Sequence, residues 1–125
     1  MSEKLKQHQD EVRFKVMRAI AENPNVTQRE LAKNLGVSLG QINYQLKALK
    51  DKGLVKLGNF LRSDNKLAYV NLLTPKGITN KVQLAEIFLV RKRQEFELIK
   101  RELEALEREL KNDDELIRKT SRDKP

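Results

Sequence analysis

Cysteine and tryptophan are absent from the 125 residues, and there is a single histidine. Without cysteine, disulfide bonds, thiolate-ligated zinc, a cysteine nucleophile and a thiol redox sensor are excluded. The histidine, His8, stands in a polar segment, where we expect it to have no functional role. A transmembrane helix needs about 20 mainly apolar residues, and the sequence has no such stretch. We therefore expect a cytoplasmic protein that does not enter a membrane.

Motifs for catalysis and cofactor binding are also missing. The sequence has no glycine-rich phosphate loop, no cluster of metal ligands and no nucleophile beside a base. Residues 1–6 lack the apolar run of a secretory signal peptide. These observations predict that the protein is not an enzyme, that it binds no cofactor or metal, and that it carries no secretory leader.

Charged residues, in contrast, make up 35% of the chain, with a net charge of +8. Residues 1–75 contain 13 Lys or Arg and 7 Asp or Glu, whereas residues 76–125 contain 13 and 11. The first part is therefore basic and the second nearly balanced. A basic excess favours an anionic partner such as nucleic acid, although solubility alone would also account for it.

Local signals predict two helices in the first 36 residues. Asp10 is suited to cap the first helix, and Asn23-Pro24-Asn25 ends it. Thr27 and Glu30 have the spacing of a capping box at the start of the second helix. Gly36 is a suitable residue for its C-terminal end.

A third helix follows after a turn of about three residues. Ser38 is its predicted N-cap, and Gly53 follows its last turn. Three apolar side chains at helical spacing form its buried stripe, namely Ile42, Leu46 and Leu49. Two helices joined by so short a turn are the helix-turn-helix arrangement.

A β-hairpin is predicted next, because residues 54–61 and 67–73 are rich in aliphatic and aromatic residues and flank a turn near residues 63–65. A hairpin directly after a helix-turn-helix is a wing. Phe60 and Tyr69 have two interpretations. They are either stacking platforms for single-stranded nucleic acid or residues that pack the hairpin against the helix-turn-helix, which with the hairpin forms the head of the molecule. We expect the packing role.

The last helix is predicted to start at Thr74 as N-cap and Pro75 as first residue, with Gly77 weakening its first turn. Apolar residues then recur in alternating steps of three and four, interrupted at Lys92, which is a heptad pattern. They are Val82, Ala85, Leu89, Phe96, Ile99, Leu103, Leu106 and Leu110. A helix folded back on its own head is the alternative, but about 28 residues at about 1.5 Å each exceed 40 Å. The pattern therefore predicts the pairing of two copies.

Four segments resemble the winged-helix core of MarR-type transcriptional regulators; they are residues 28–32, 36–38, 46–55 and 73–77. A short subgroup, described as exopolysaccharide-associated MarR-family regulators, is similar along almost the whole chain, notably at residues 43–44, 65–69 and 72–78. The resemblance implies transcriptional regulation near exopolysaccharide genes. This chain departs from longer MarR proteins, which pair through N- and C-terminal helices that also frame a small-ligand pocket, in having a short N-terminal extension. A small-molecule effector therefore stays an open question.

The predicted fold class is mainly α with a small β-hairpin wing, that is, a winged helix-turn-helix followed by a long coiled-coil-like helix. The predicted organisation is a flexible tail over residues 1–9, a DNA-binding domain over 10–74, a dimerisation helix over 75–112 and a frayed tail over 113–125.

The second helix of a helix-turn-helix reads bases in the major groove. The predicted base-reading residues are Gly40, Gln41, Asn43 and Tyr44. The predicted phosphate contacts are Thr27, Gln28, Arg29, Ser38, Lys47 and Lys50. The wing contributes Arg62 and Lys66. An ordinary solvated face, or plain helix capping, is the alternative for each of these residues.

Three functions remain open at this point. The leading prediction is a homodimer that binds a specific inverted-repeat site on double-stranded DNA and regulates transcription. A protein-interaction module, in which the winged helix is a scaffold and the coiled coil recruits a partner, is the second. An architectural protein that coats DNA without regard to sequence is the third. The operator, the regulated genes, the sign of regulation and the direction of helix pairing are not predicted.

Overall fold

The computed structural model of the chain describes residues 2–61 and 63–122. Its elements are α1 (Glu3–Glu22), α2 (Gln28–Leu35), α3 (Leu39–Asp51), β1 (Val55–Leu61), β2 (Leu67–Leu73) and α4 (Pro75–Arg122). This order confirms the predicted fold class, a helical protein with a two-stranded antiparallel wing. The chain divides into two compact units, Met1–Phe88 and Leu89–Pro125, and each is described by itself.

The first helix begins eight residues earlier than the sequence predicts. Ser2 caps it, because its side-chain oxygen accepts a hydrogen bond from the Leu5 amide at 3.2 Å. Asp10 therefore lies inside the helix instead of capping it, and residues 3–9 are helical where a tail was expected. An ion pair between Glu11 and Lys15, 3.2 Å apart, spans one helical turn. The end of the helix at Asn23 agrees with the prediction.

The caps of the helix-turn-helix are those predicted. The Thr27 hydroxyl accepts from the Glu30 amide at 3.1 Å, and the Glu30 carboxylate accepts from the Thr27 amide at 3.3 Å. Gly36 ends α2 with a φ of 67°, in the left-handed region that favours glycine. The Ser38 hydroxyl accepts from the Gln41 amide at 3.1 Å, which starts α3 only three residues after α2 ends.

The core of the first unit lies where α1, α2 and α3 meet the start of the hairpin. Its most deeply buried side chains are Val16, Met17, Ile20, Leu31, Ile42, Leu46 and Leu49. The apolar stripe predicted on α3 is therefore the side that packs inward. Gln45, only 2% exposed, is a polar side chain in this core that the sequence did not mark.

The hairpin pairs β1 with β2 in antiparallel register from Val55 opposite Leu73 to Leu61 opposite Leu67. Asn65, with a φ of 61°, lies in the connecting turn as predicted. Tyr69 is 83% exposed, so the prediction that it packs on the head is wrong. Its neighbour Val70 is buried instead, because successive side chains of a strand point to opposite faces. The side chain of Phe60 lies outside those that the structure describes, so its predicted packing stays a prediction.

The start of α4 is hydrogen-bonded to the segment that joins α3 to β1. The Thr74 amide donates to the Leu54 carbonyl at 3.0 Å, and the Thr74 hydroxyl donates to the Gly53 carbonyl at 2.6 Å. The same hydroxyl accepts from the Gly77 amide at 3.0 Å, which makes Thr74 the predicted N-cap. Gly77 is buried, and a Cβ there would overlap the Leu54 carbonyl oxygen. From the sequence, Gly77 was expected to weaken the first turn of α4. The structure shows that glycine is required there, because the α4 backbone approaches the Leu54 backbone closely.

The first turns of α4 belong to the core of the first unit. Leu84 is 7% exposed, and the Phe88 ring lies 5.4 Å from the Phe14 ring, tilted by 46°. The Arg18 guanidinium covers the Phe14 ring at 5.2 Å. The heptad pattern did not include Leu84 and Phe88, which lie on another side of the helix from the predicted stripe.

The second unit is helical from Leu89 to Arg122. The segment predicted to fray after residue 112 is thus helical as far as the structure describes it, and residues 123–125 lie outside the described part. The Thr120 hydroxyl donates to the Leu116 carbonyl at 2.8 Å within this segment. In the described part of the chain, the structure contains no helix with the length and apolarity that a membrane span requires.

Candidate nucleic-acid interface

One face of α3 carries most of the residues predicted to read bases. Gly40, Asn43, Tyr44 and Lys47 are all exposed, and their spacing of i, i+3, i+4 and i+7 places them on one side of the helix. The opposite side packs into the core, which fixes the direction of this face. Gln41 is half-buried, so it lies at the margin of the face and not at its centre.

Tyr44 is the largest side chain of this face and is 59% exposed. Its ring is therefore available to a partner on the solvent side. At Gly40 a Cβ would meet only the Ser38 hydroxyl oxygen, at 3.8 Å. The backbone of the first turn of α3 is thus open to a close approach, and its Ser38 cap stands beside it.

Two lysines continue the α3 face toward its C-terminal end. Lys47 and Lys50 are both exposed, and Lys50 lies two turns beyond Asn43 on the same side. Ten residues separate Gly40 from Lys50, which is about 15 Å along the helix axis. The face therefore has polar side chains over its first two turns and cationic side chains at its far end.

The start of α2 presents a second group of predicted residues. Thr27, Gln28 and Arg29 are exposed, and amides at a helix start are natural donors to anions. The Thr27 hydroxyl accepts the Glu30 amide, and the Glu30 carboxylate lies within the same turn. This carboxylate lowers the positive potential at the start of α2. Among Thr27, Gln28 and Arg29, the positive charge therefore comes from the Arg29 side chain.

The wing places one predicted cation in solvent. Lys66 is exposed directly before β2, and its amide donates to the Asp64 side chain at 3.2 Å in the turn. The prediction for Arg62 falls on a residue outside those that the structure describes. Leu67 and Tyr69, 71% and 83% exposed, also project from β2, so the wing offers apolar surface beside its charge.

A polar cleft of about 590 Å³ lies between the start of α2 and β2, and sequence reasoning missed it. Its lining includes Asn25, Gln28, Tyr69 and Asn71. The Asn71 side-chain oxygen is buried and, among the described residues, has no hydrogen-bond partner. The walls come from segments some 40 residues apart, so no local signal in the sequence could have indicated the cleft. Residues 2–61 and 63–122 contain no group of three His, Asp or Glu side chains placed to hold a metal ion.

The comparisons with known proteins agree with this geometry. Residues 9–56 match the family model described as winged helix-turn-helix DNA-binding. That range covers most of α1, all of α2 and α3 and the first residues of β1. None of the curated proteins matches the chain.

Solved structures of transcriptional regulators share the fold. BldR from Sulfolobus solfataricus is 23% identical, with 66% of this chain aligned to 58% of that one at a TM-score of 0.54. The DNA complex of MepR from Staphylococcus aureus aligns at 20% identity over 70% of this chain and 59% of that one, also with a TM-score of 0.54. MarR from S. aureus, solved with salicylate and kanamycin, aligns at 24% identity over 70% and 56% of the two chains, with a TM-score of 0.49.

The similarities to BldR and MepR concern the fold alone, since both identities are under 25%. Less than two thirds of each of the three known chains is aligned. The winged helix-turn-helix fold that the resemblance implies is confirmed. The narrower exopolysaccharide-associated subgroup stays a prediction.

Proposed function

From the winged helix-turn-helix fold of its first unit, we propose that this protein binds double-stranded DNA at specific sites and regulates transcription as a homodimer. The observation that carries the proposal is the exposed face of α3. Gly40, Asn43, Tyr44 and Lys47 share this face, while the helix behind them is held by the core. A recognition helix needs such a rigid, outward-facing polar surface to read base edges in the major groove.

Each residue of the α3 face has a distinct role in this proposal. The Asn43 amide offers a donor and an acceptor, the pair that matches the adenine edge. Gln41 offers the same pair from the margin of the face. The exposed Tyr44 ring contacts a thymine methyl or donates to a phosphate, and the open space at Gly40 lets the helix backbone approach the DNA.

The remaining predicted residues hold the protein on the DNA backbone. Phosphate contacts fix register and orientation but carry no sequence information. We assign this role to Thr27, Gln28, Arg29, Ser38, Lys47 and Lys50, and to Arg62 and Lys66 of the wing. The excess of 13 basic over 7 acidic residues in residues 1–75 supports an anionic partner for this part of the chain.

Pairing through α4 completes the proposal. Leu89, Phe96, Ile99, Leu103, Leu106 and Leu110 are between 52% and 64% exposed. So long an apolar stripe on a solvated helix marks a protein interface. Val82 and Ala85, predicted for the same stripe, belong to the first unit, where Val82 is 51% exposed and Ala85 is half-buried. A two-fold dimer would bind an inverted repeat with half-sites one helical turn, or a whole number of turns, apart.

The regulated genes are proposed on the resemblance alone. The short subgroup that the sequence resembles implies genes of exopolysaccharide biosynthesis. The link to exopolysaccharide genes rests on no side chain of the described structure. The DNA-binding proposal therefore does not depend on it.

The test of specific binding is a selection of random DNA duplexes at near-physiological salt, followed by sequencing of the retained pool. We expect an enriched inverted repeat. The triple substitution of Gln41, Asn43 and Tyr44 by alanine should then abolish the preference for that site. Gln94→Ala with Asn112→Ala, exposed amides of the second unit, is the matched control and should keep it.

Two other outcomes would replace the proposal. Retention without an enriched motif would indicate an architectural DNA-binding protein. No retention even at low salt would favour a protein-interaction module, in which α4 recruits a partner.

The test of pairing is the molar mass measured by light scattering at micromolar concentration. We expect a dimer, and Leu103→Asp should convert it to a monomer because it places a charge in the stripe. Leu98→Asp is the matched control, since Leu98 is equally exposed at 57% but lies on a different side of the helix. A monomeric parent protein would refute the pairing.

A further inference from the structure

The order of charges along the second unit restricts how two copies can pair. The apolar stripe of α4 is interrupted by a cation near its start, Lys92, and by an anion near its end, Asp113. Both side chains are exposed in the single chain. Lys92 lies 3.1 Å from Glu95, which keeps the ammonium group at the edge of the stripe. Any pairing of the stripe must accommodate these two charges.

Parallel pairing in register places like charges together. In that arrangement each stripe residue faces its own counterpart, so Lys92 would face Lys92 of the second copy and Asp113 would face Asp113. Most flanking residues would also repel each other, because Glu102 would lie beside Glu107 of the second copy and Glu109 beside Asp114. Glu95 beside Lys100 would be the one attractive pair.

Antiparallel pairing brings opposite charges together. With Ile99 facing Leu110 of the second copy and Leu103 facing Leu106, the central layers are apolar. The flanking residues then form two kinds of ion pair, each made twice by symmetry: Arg93 with Asp114, and Lys100 with Glu107. Lys92 and Asp113 of the two copies fall in neighbouring layers near the ends of the paired segment, where Lys92 faces Ile117 and Asp113 faces Phe96. These flanking residues are exposed in the single chain and available for pairing.

Other antiparallel registers are less favourable. A shift of one heptad in one direction sets Lys100 against its own counterpart and Glu95 against Glu109. A shift in the other direction moves Asp113 one heptad further into the paired segment, opposite Leu103 instead of Phe96, and sets Glu107 against its own counterpart. The chosen register leaves one kind of like-charged contact, also made twice by symmetry, between Glu102 and Glu109 of the second copy.

We propose that the second unit pairs antiparallel with a second copy of this chain, with Ile99 opposite Leu110 and Lys100 opposite Glu107. This inference rests on the proposed homodimer and specifies its direction and register. The occupant of the exposed stripe is thus another copy of the same helix, selected by the complementarity of its charges.

Cysteine cross-linking tests the direction, because the chain has no cysteine of its own. We expect Ile99→Cys and Leu110→Cys to form a disulfide-linked dimer when the two variants are mixed in a glutathione buffer, and neither to cross-link alone. Parallel pairing would instead cross-link each variant with itself, which would overturn the proposal. Leu98→Cys, exposed on another side of α4, is the control and should stay unlinked.

Charge reversal tests the register through the dimer dissociation constant. Glu107→Lys should raise the dissociation constant about tenfold, because two attractive pairs with Lys100 become repulsive. Adding Lys100→Glu should restore the parent value. In the parallel arrangement Glu107→Lys would relieve repulsion by Glu102 and tighten the dimer, contrary to the proposal. If the parent protein is a monomer by light scattering, the homodimer itself fails; if it is a dimer whose Ile99→Cys variant cross-links with itself, only the antiparallel inference fails.

Discussion

Gly77 provides a sharp test of how the first unit is assembled. Its backbone is helical and buried at the start of α4, so the conformation would accept alanine. The obstacle is space, since an added Cβ would overlap the Leu54 carbonyl oxygen and lie 3.0 Å from the carbonyl carbon. Both atoms are backbone and cannot rotate away. The Gly77→Ala substitution must therefore move the start of α4 away from the Leu54 backbone.

The size of the effect follows from three contributions. Alanine in place of glycine inside a helix stabilises by about 0.5–1 kcal/mol. Overpacking a close contact costs about 1–3 kcal/mol, and weakening the hydrogen bond from the Thr74 amide to the Leu54 carbonyl costs about 1 kcal/mol more. The expected result is a net destabilisation of about 2 kcal/mol, which corresponds to a melting temperature lower by roughly 10 °C for a domain of this size.

Thermal unfolding followed by circular dichroism, with all proteins at equal concentration, measures this effect. Gly40→Ala is the matched control, because its added Cβ would meet only the Ser38 hydroxyl oxygen at 3.8 Å. The same chemical change should therefore stabilise by about 0.5–1 kcal/mol at residue 40 and destabilise at residue 77. A Gly77→Ala protein as stable as the parent would show that α4 does not approach Leu54 as described.

Three further substitutions test single contacts. Gly36→Ala should lower the free energy of unfolding in urea by about 1–2 kcal/mol, because alanine is strained at a φ of 67°. Gly36→Asn should lower it by less. Equal stability of the parent and the two variants would contradict this. Lys47→Ala should weaken binding to every duplex and reduce the slope of log affinity against log salt by about 1 without changing site preference; an unchanged slope would remove Lys47 from the phosphate contacts. Ser2→Ala should lower the free energy of unfolding by about 0.5–1 kcal/mol through loss of the α1 cap, and no change would indicate that the first turn contributes nothing to folding.

The sequence predicted those features that depend on neighbouring residues. Thr27 with Glu30, Gly36, Ser38 and Thr74 all occupy the cap positions expected of them, because a cap is made between residues two to four apart. The hairpin turn follows for the same reason. The α3 face could also be predicted, since the apolar stripe of a helix defines the side that remains for solvent.

The predictions failed where contacts join distant segments. Gly77 was taken as a weakness because its need is set by Leu54, more than 20 residues away. Tyr69 was expected to pack the hairpin on the helices, but the register of β2 turns Val70 inward instead. The early start of α1 is a different case, since Ser2 offered a cap that competed with Asp10, and only the structure shows which one begins the helix.

Helix α4 shows why apolar periodicity predicts burial but not the partner. Leu84 and Phe88 lie on one side of this helix and pack within the first unit, against Phe14 and the core. Leu103, fifteen residues beyond Phe88, is 55% exposed and is not among the core residues of the described part of the chain. Leu84 and Phe88 have helical spacing, and so have Leu103 and the other residues of the apolar stripe. From spacing alone, the two groups cannot be assigned to different interfaces. The structure separates them, and substitutions should too: Phe88→Ala should lower the stability of the folded head at any protein concentration, whereas Leu103→Asp should change only the concentration-dependent association.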